Sequence, residues 1–353
     1  MIGRMKMQSL SRTRPRRSGA AAMIFACATA AVAALTTTAG AEGIKLGYSA
    51  PFLTDPFQAI MANQTLKAVA EAGMEAMPAT NANGDAGKQA TDIRNLVSAG
   101  AKVLIVNPTD SQAIVPVLDF AASKSVPAVL IDIAPAKGKA AMIVRADNKG
   151  IGAKACEALG AAIGGKGKVL SLMGDQATTN GRDRTSGFNE CMKAKYPGVT
   201  IIEQPTYWKT DKATSAAQTV VTTTPDLTAI YMQSDSVMLA GVLNVLKSAG
   251  KLTKVGEPNH IFLATVDGTP FALEKIREDL VDVTVAQPLD LYAKYGAFYA
   301  KAAAEGKTFS AGPTDHGSEI VPVGDNLMDY LPATVVTKAN ASDPSLWGNQ
   351  SAK

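Results

Sequence analysis

Val103-Leu104-Ile105-Val106-Asn107-Pro108-Thr109-Asp110-Ser111 is the stretch that decides the fold. Four aliphatic residues follow one another without polar alternation, which marks a strand covered by helices on both faces, as in a parallel sheet. The run stops at a polar Asn-Pro-Thr-Asp turn, and a helical apolar spacing then extends from Ser111 to Lys124. The same unit recurs along the chain. Strands are expected at Ile44–Ser49, Val103–Asn107, Ala128–Asp132, Ile143–Ala146, Lys168–Leu172, Thr200–Gln204, Ala229–Met232, Ile261–Val266 and Val281–Ala286. Helices are expected near Phe57–Ala72, Ala86–Ala99, Ser111–Lys124, Lys149–Ile163, Gly181–Lys195, Asp211–Thr223, Ser236–Ala249, Thr269–Glu278 and Leu289–Glu305. A βα repeat of about 30 residues argues for a doubly wound α/β protein. So many strands exceed one flavodoxin-like sheet, and the expected fold class is α/β with two doubly wound parallel-sheet lobes.

In open parallel sheets, ligands bind outside the carboxyl ends of the strands. At those ends the chain offers Asp55-Pro56-Phe57-Gln58, Asn107-Pro108-Thr109-Asp110, Asp132, Asp147-Asn148, Arg182-Asp183-Arg184, Tyr207-Trp208, Ser234-Asp235, Asp267-Gly268 and Gln287. One Asp at such a point is as readily the cap of the next helix. Many polar and aromatic strand ends converging between two lobes describe a polar cleft with aromatic walls.

The formal net charge of +4 is concentrated at one end. Arg4, Lys6, Arg12, Arg14, Arg16 and Arg17 lie within residues 1–41, which contain no acid. The remainder holds 29 of the 35 basic residues against all 31 acids, about −2, so nucleic acid is not an expected partner. Residues 1–41 read as a secretory signal peptide: the basic segment precedes an apolar run from about Gly19 to Leu35, and Ala39-Gly40-Ala41 supplies a small-residue cleavage site before Glu42. That run is shorter than the ~20 strongly apolar residues of a membrane span. After cleavage only Cys156 and Cys191 remain. In an oxidising compartment two lone cysteines suggest one disulfide, the other arrangement being two buried thiols.

Two cysteines and two distant histidines, His260 and His316, lack zinc-ligand spacing. Asn81-x-Asn83-x-Asp85 imitates a calcium loop, but Ala86 stands where such loops need glycine and Asp92 where they need Glu. Gly164-Gly165-Lys166-Gly167-Lys168 reads as a turn rather than a phosphate cradle. No metal and no cofactor are therefore expected. His316, in a Gly/Pro-rich stretch, is expected to be exposed.

Four pieces in register resemble the periplasmic sugar-binding proteins of ABC importers, of the ribose-binding type: Asn107-Pro108-Thr109-Asp110-Ser111, Arg184-Thr185-Ser186-Gly187-Phe188, Ser234-Asp235 and Val266-Asp267-Gly268-Thr269-Pro270. The similarity runs from about Gly43 to Ala300 and returns at Leu331–Ala339. It implies a type I periplasmic binding protein, with two lobes joined by a three-strand hinge. The implied division is a first lobe of 43–146 plus 288–320, a second lobe of 147–287, and a tail of 321–353 returning to the hinge. The implied location is the periplasm. The implied partners are an ABC permease and, in some relatives, a chemoreceptor, for a protein that is itself monomeric. Carried over by position, the ligand contacts are Asp55, Phe57, Gln58, Asp132, Asn148, Arg184, Trp208, Ser234, Asp235, Asp267 and Gln287. Gln58 stands where the ribose type has a second Phe, and Ile133 where it has an Arg.

The chemistry of those residues suits an uncharged, polyhydroxylated ligand. Phe57 and Trp208 can cover the two C–H faces of a sugar ring at low entropic cost. Asp132 and Asp267 accept hydroxyl hydrogens, and Arg184 supplies a fixed fork of donors. With a charged donor lost at Ile133 and a ring lost at Gln58, the expected ligand is a pentose, a deoxy or branched sugar, or a short polyol. Two other readings compete with a receptor. An exported carbohydrate-active hydrolase would use Asp132 and Asp267 as paired carboxylates. A sugar-responsive DNA regulator would need a helix-turn-helix where the leader stands.

Overall fold

The computed structural model describes residues 43–350, so the predicted leader and its cleavage after Ala41 lie outside the described residues. The chain opens with β1 (Lys45–Ala50), α1 (Pro56–Glu71), β2 (Glu75–Ala76), β3 (Thr80–Asn81), α2 (Ala86–Ser98), β4 (Val103–Val106), α3 (Val115–Ser123), β5 (Ala128–Ile131) and β6 (Met142–Ala146). A second series follows: α4 (Asn148–Ala162), β7 (Lys166–Met173), α5 (Thr179–Lys195), β8 (Gly198–Pro205), α6 (Thr210–Thr223), β9 (Leu227–Met232), α7 (Asp235–Ser248), β10 (Phe262–Asp267), α8 (Pro270–Arg277) and β11 (Val283–Ala286). The chain ends with α9 (Leu289–Ala304), β12 (Gly312–Pro313), β13 (Glu319–Val323), β14 (Asn326–Leu331), β15 (Thr334–Val336) and α10 (Trp347–Gln350).

Two sheets result. The first has the order β12-β13-β14-β6-β5-β4-β1-β2, with β3 also on β1; the second has the order β15-β11-β10-β9-β7-β8. The pairings from β6 to β2, and those from β11 to β8, are parallel. Val103, Leu104, Ile105 and Val106 are completely buried. Helices press on the sheet from both sides, and burying each such side chain contributes about 1.5–3 kcal/mol. That demand on both faces is why the run shows no alternation.

Short polar caps start the helices at the strand ends. Asp55, Asp85, Asp147, Thr178 and Thr269 each accept a hydrogen bond from a backbone N–H in the first turn that follows, and Pro56 and Pro270 occupy first-turn positions that need no donor. Helices α4 and α5 approach so closely that a Cβ on Gly152 or Gly187 would strike the carbonyl of Arg184 or Lys149. A disulfide joins the same two helices, Cys156 to Cys191, with Cα atoms 6.2 Å apart.

The chain passes between the sheets three times, at Ala146–Asn148, Ala286–Leu289 and Leu331–Thr334. One hydroxyl ties the first two crossings, because Tyr292 Oη accepts from Ala146 N (3.1 Å) and donates to Gln287 Oε1 (3.0 Å). Segment 309–330, where the sequence predicts no strand or helix, extends the first sheet with the β12–β14 hairpins. Residues 321–353 are more than a hinge tail, since they supply β14 to the first sheet and β15 to the second. His316 is not exposed. Its ring stacks on Tyr295 at 3.5 Å between centroids, and Nε2 lies 2.9 Å from the fully buried carboxylate of Asp329, which also accepts from Tyr299 Oη at 3.0 Å.

Candidate functional site

Parallel strands aim their carboxyl ends at the gap between the sheets, and a small cavity lies there. Asp55, Phe57, Gln58, Asp132 and Ile133 line it from the first lobe; Arg184, Trp208, Ser234 and Asp267 line it from the second; Gln287 lines it from the hinge. The space left to the centre of a water-sized sphere is about 40 Å3.

Asp132 is the polar centre of the first wall. Its Oδ2 accepts from Asn107 Nδ2 (3.1 Å) and Gln58 Nε2 (3.3 Å), and Asn107 Nδ2 also donates to Gln58 Oε1 (2.8 Å). Gln58 therefore braces the carboxylate besides facing the cavity. Buried Gln89 fixes the turn after β4 by donating to Asn107 O (2.8 Å) and accepting from Thr109 N (2.7 Å). Neither amide contact is visible in a local pattern.

Arg184 and Asp267 form the second wall, and both are buried. Arg184 Nε donates to Asn148 Oδ1 (2.8 Å), one terminal nitrogen donates to Gln233 O (2.5 Å) and lies 3.7 Å from Asp267 Oδ1, and the guanidinium sits 5.7 Å from the Trp208 ring centre. Asp267 accepts from Gln287 Nε2 (2.7 Å) and Ser234 Oγ (2.6 Å). Burial raises the pKa of Asp267 above the usual carboxylate value, against the lowering effect of Arg184. Asp55 is pushed up to about 7, again chiefly by burial.

Two of the expected contacts stand behind the wall instead of in it. Asn148 orients Arg184, as above. Asp235 accepts from Gly268 N (2.9 Å), Thr284 Oγ1 (3.0 Å) and Thr269 Oγ1 (2.7 Å), and so holds the loop that presents Asp267. Its carboxyl, fully buried, is also raised by desolvation and then by the Asp267 charge. At positions 81–85, Asn81 Oδ1 accepts from Leu53 N and Asn83 N, and Asp85 caps α2. Among the described residues, no cluster of His, Cys, Asp or Glu could hold a metal.

Other wall and support residues escape the strand-end reading. Asn180 lines the cavity one helical turn before Arg184, a spacing that puts both on one face of α5. Trp347, near the chain end, donates Nε1–H to Asp267 O (3.0 Å) and meets the Phe57 ring edge-on at 5.6 Å. It braces a residue of each lobe at once.

The lobes are closed on one another. Asn180 Nδ2 donates across the gap to Asp132 Oδ1 (2.7 Å), Thr179 N to Ser111 Oγ (3.0 Å), and Ser236 Oγ to Asp55 Oδ1 (2.6 Å). Several cleft residues are left-handed: Asp132 (φ 63°), Tyr207 (56°), Trp208 (56°) and Asp267 (113°). Left-handed backbone costs an L residue roughly 1–2 kcal/mol, less for Asp, and such positions concentrate at functional sites.

Residues 46–308 match the model of a periplasmic binding protein domain. The ribose import binding protein of Bacillus subtilis is 29% identical over 249 residues, covering 70% of this chain and 78% of that protein. The D-apiose import binding protein of Actinobacillus succinogenes is 27% identical over 228 residues, covering 64% and 70%. Among solved structures, an ABC transporter solute binding protein from Mycobacterium smegmatis with bound glycerol superposes with a TM-score of 0.74 at 27% identity, covering 85% of this chain and 96% of that one.

Proposed function

This chain belongs to the periplasmic binding protein family, and we propose that it captures a small neutral sugar or polyol between its lobes and delivers it to an ABC import permease. The family is one of transport binding proteins rather than enzymes. The observation that carries the reading is the composition of the cavity between the lobes. Two carboxylates and a guanidinium, each already oriented by amides or hydroxyls, face a space flanked by Phe57 and Trp208 from opposite lobes. Charged partners of this kind contribute about 1.5–3 kcal/mol per hydroxyl hydrogen bond.

Ile133 places an apolar side chain in that wall beside Asp132. A hydroxyl turned toward it would go unpaired, so the ligand presents carbon there. With the small cavity, this favours a pentose, a deoxy or branched sugar, or a short polyol. Ribose, apiose and glycerol in the relatives' descriptions span that range. Asp132 serves as a hydroxyl acceptor rather than as half of a hydrolytic pair, because three amide donors already fix it as an acceptor.

Capture proceeds by closure about the three crossings, and closure is favoured only by contacts made to both lobes. The mature protein starts at Glu42 in the periplasm, a point that N-terminal sequencing of the exported form decides. A thermal-shift screen of that form against pentoses, hexoses and polyols tests the function. A cognate ligand at a hundred times its dissociation constant stabilises by about 2.7 kcal/mol. Absence of any stabilising sugar or polyol would overturn the reading, as would turnover of aryl glycosides.

A further inference from the structure

The turn that delivers Trp208 to the cavity carries a second aromatic ring that the cavity does not use. Lys209 N donates to Thr206 O (2.9 Å), closing a turn whose two central residues, Tyr207 and Trp208, both have φ of 56°. Turns with two left-handed central residues favour Asn-Gly, because a Cβ is costly there. Here the two positions hold the bulkiest kind of side chain. Trp208 explains one of them. Tyr207 remains 51% exposed, and its hydroxyl makes no hydrogen bond within the described residues.

Tyr207 faces a second, open cavity of about 620 Å3 at the mouth of the cleft. Both lobes line it, with Asn83 from the first and Asp175, Lys209 and Asp211 from the second. Phe52, Asp55, Thr109 and Trp208 line this cavity and the inner one alike, so they form the partition between them. On that partition the Thr109 hydroxyl is buried without a hydrogen-bond partner, a state that native proteins seldom leave unexplained.

We propose that the outer cavity is a second saccharide subsite, so that the protein takes a glycoside or disaccharide as well as a single ring. The inference rests on the inner cavity holding a sugar. The inner ring lies between Phe57 and Trp208, the glycosidic oxygen passes Thr109 and accepts from its hydroxyl, and the outer ring lies against Tyr207. A sugar face on an exposed aromatic, with acids, an amide and an ammonium at its rim, matches the amphipathic character of a pyranose or furanose. The size contrast between the two cavities fits the same division: one ring fills the inner space, and only the outer space admits another.

Calorimetry on the exported full-length protein tests this with xylose, arabinose and ribose beside xylobiose, arabinobiose and benzyl riboside. At least one two-part ligand is expected to bind no more weakly than the monosaccharide it contains. Tyr207→Ala is expected to weaken that two-part ligand at least tenfold while changing the monosaccharide less than twofold. Tyr207→Asn, which suits a left-handed turn, gives the same selective loss and separates it from any folding defect. Monosaccharide binding with no binding of its glycosides overturns the outer subsite and leaves the inner one standing, as does an equal effect of Tyr207→Asn on both ligands. No binding by any of the six overturns the outer subsite, and the inner one falls with it only if the screen of pentoses, hexoses and polyols also finds no stabilising ligand.

Discussion

Ser236 Oγ lies 2.6 Å from Asp55 Oδ1, and the two residues belong to opposite lobes. Asp55 is fixed as the cap of α1 by Phe57 N (3.0 Å), and Ser236 rides in the first turn of α7. The link therefore exists only when the lobes are shut. A hydrogen bond contributes about 0.5–1.5 kcal/mol to a neutral carboxyl and about 1.5–3 kcal/mol to an ionised one, all of it here to the closed form. Ser236→Ala is expected to weaken sugar binding by roughly tenfold and to enlarge the radius of gyration toward that of an open form. Small-angle scattering paired with calorimetry reads both, and unchanged values would dismiss the latch.

The same carboxylate gives folding stability a pH dependence. Burial raises Asp55 to about 7, and Asp235 and Asp267 shift in the same direction. A raised folded-state pKa means that the native form holds protons the unfolded chain has released above about pH 4. Its stabilising contribution is complete below that pH and is lost as pH rises through about 7. The melting temperature is expected to fall between pH 5 and pH 8, and less steeply in Asp55→Asn. A flat profile in the parent protein would contradict the assignment.

Arg184→Lys retains the charge but loses the fork that reaches Asn148 Oδ1 and Gln233 O together. Sugar affinity is expected to drop at least tenfold, about 1.4 kcal/mol. Asp267→Ala should do at least as much, since it removes the acceptor that Ser234 and Gln287 orient. Calorimetry with circular dichroism as a folding control decides; wild-type affinity in both variants would discard this pocket.

Reducing Cys156–Cys191 opens a link across 35 residues of sequence. Chain entropy assigns such a bridge roughly 3–4 kcal/mol. The bridge joins α4 to α5, so Cys156→Ser/Cys191→Ser is expected to lower the melting temperature by several degrees while sugar affinity stays within about twofold. Calorimetric melts with and without reductant check this, and an unchanged melt would show the bridge to be dispensable.

Trp347→Phe keeps an aromatic ring near Phe57 and deletes the N–H that reaches Asp267 O. A neutral hydrogen bond contributes about 0.5–1.5 kcal/mol, so the expected loss is up to about tenfold in affinity with little change in melting. Titration of the variant beside the parent tests whether the chain end positions the site.

The aliphatic runs, the capping acids and the βα spacing are local signals, and they are enough for the two-sheet architecture and for the strand ends from which the cleft is lined. Periodicity reports which face of an element is buried, and a carboxyl at a strand end reports its own address. Neither reports partners. Folding alone brought Ser236 to Asp55, Asn180 to Asp132 and Trp347 to Asp267, pairs separated by 181, 48 and 80 residues. It also buried His316 against Asp329 and withdrew Asn148 and Asp235 behind the wall. The physical reason is that a buried charge must find its hydrogen bonds wherever the chain returns to it, and that return is a property of the closed three-dimensional path rather than of any window along it.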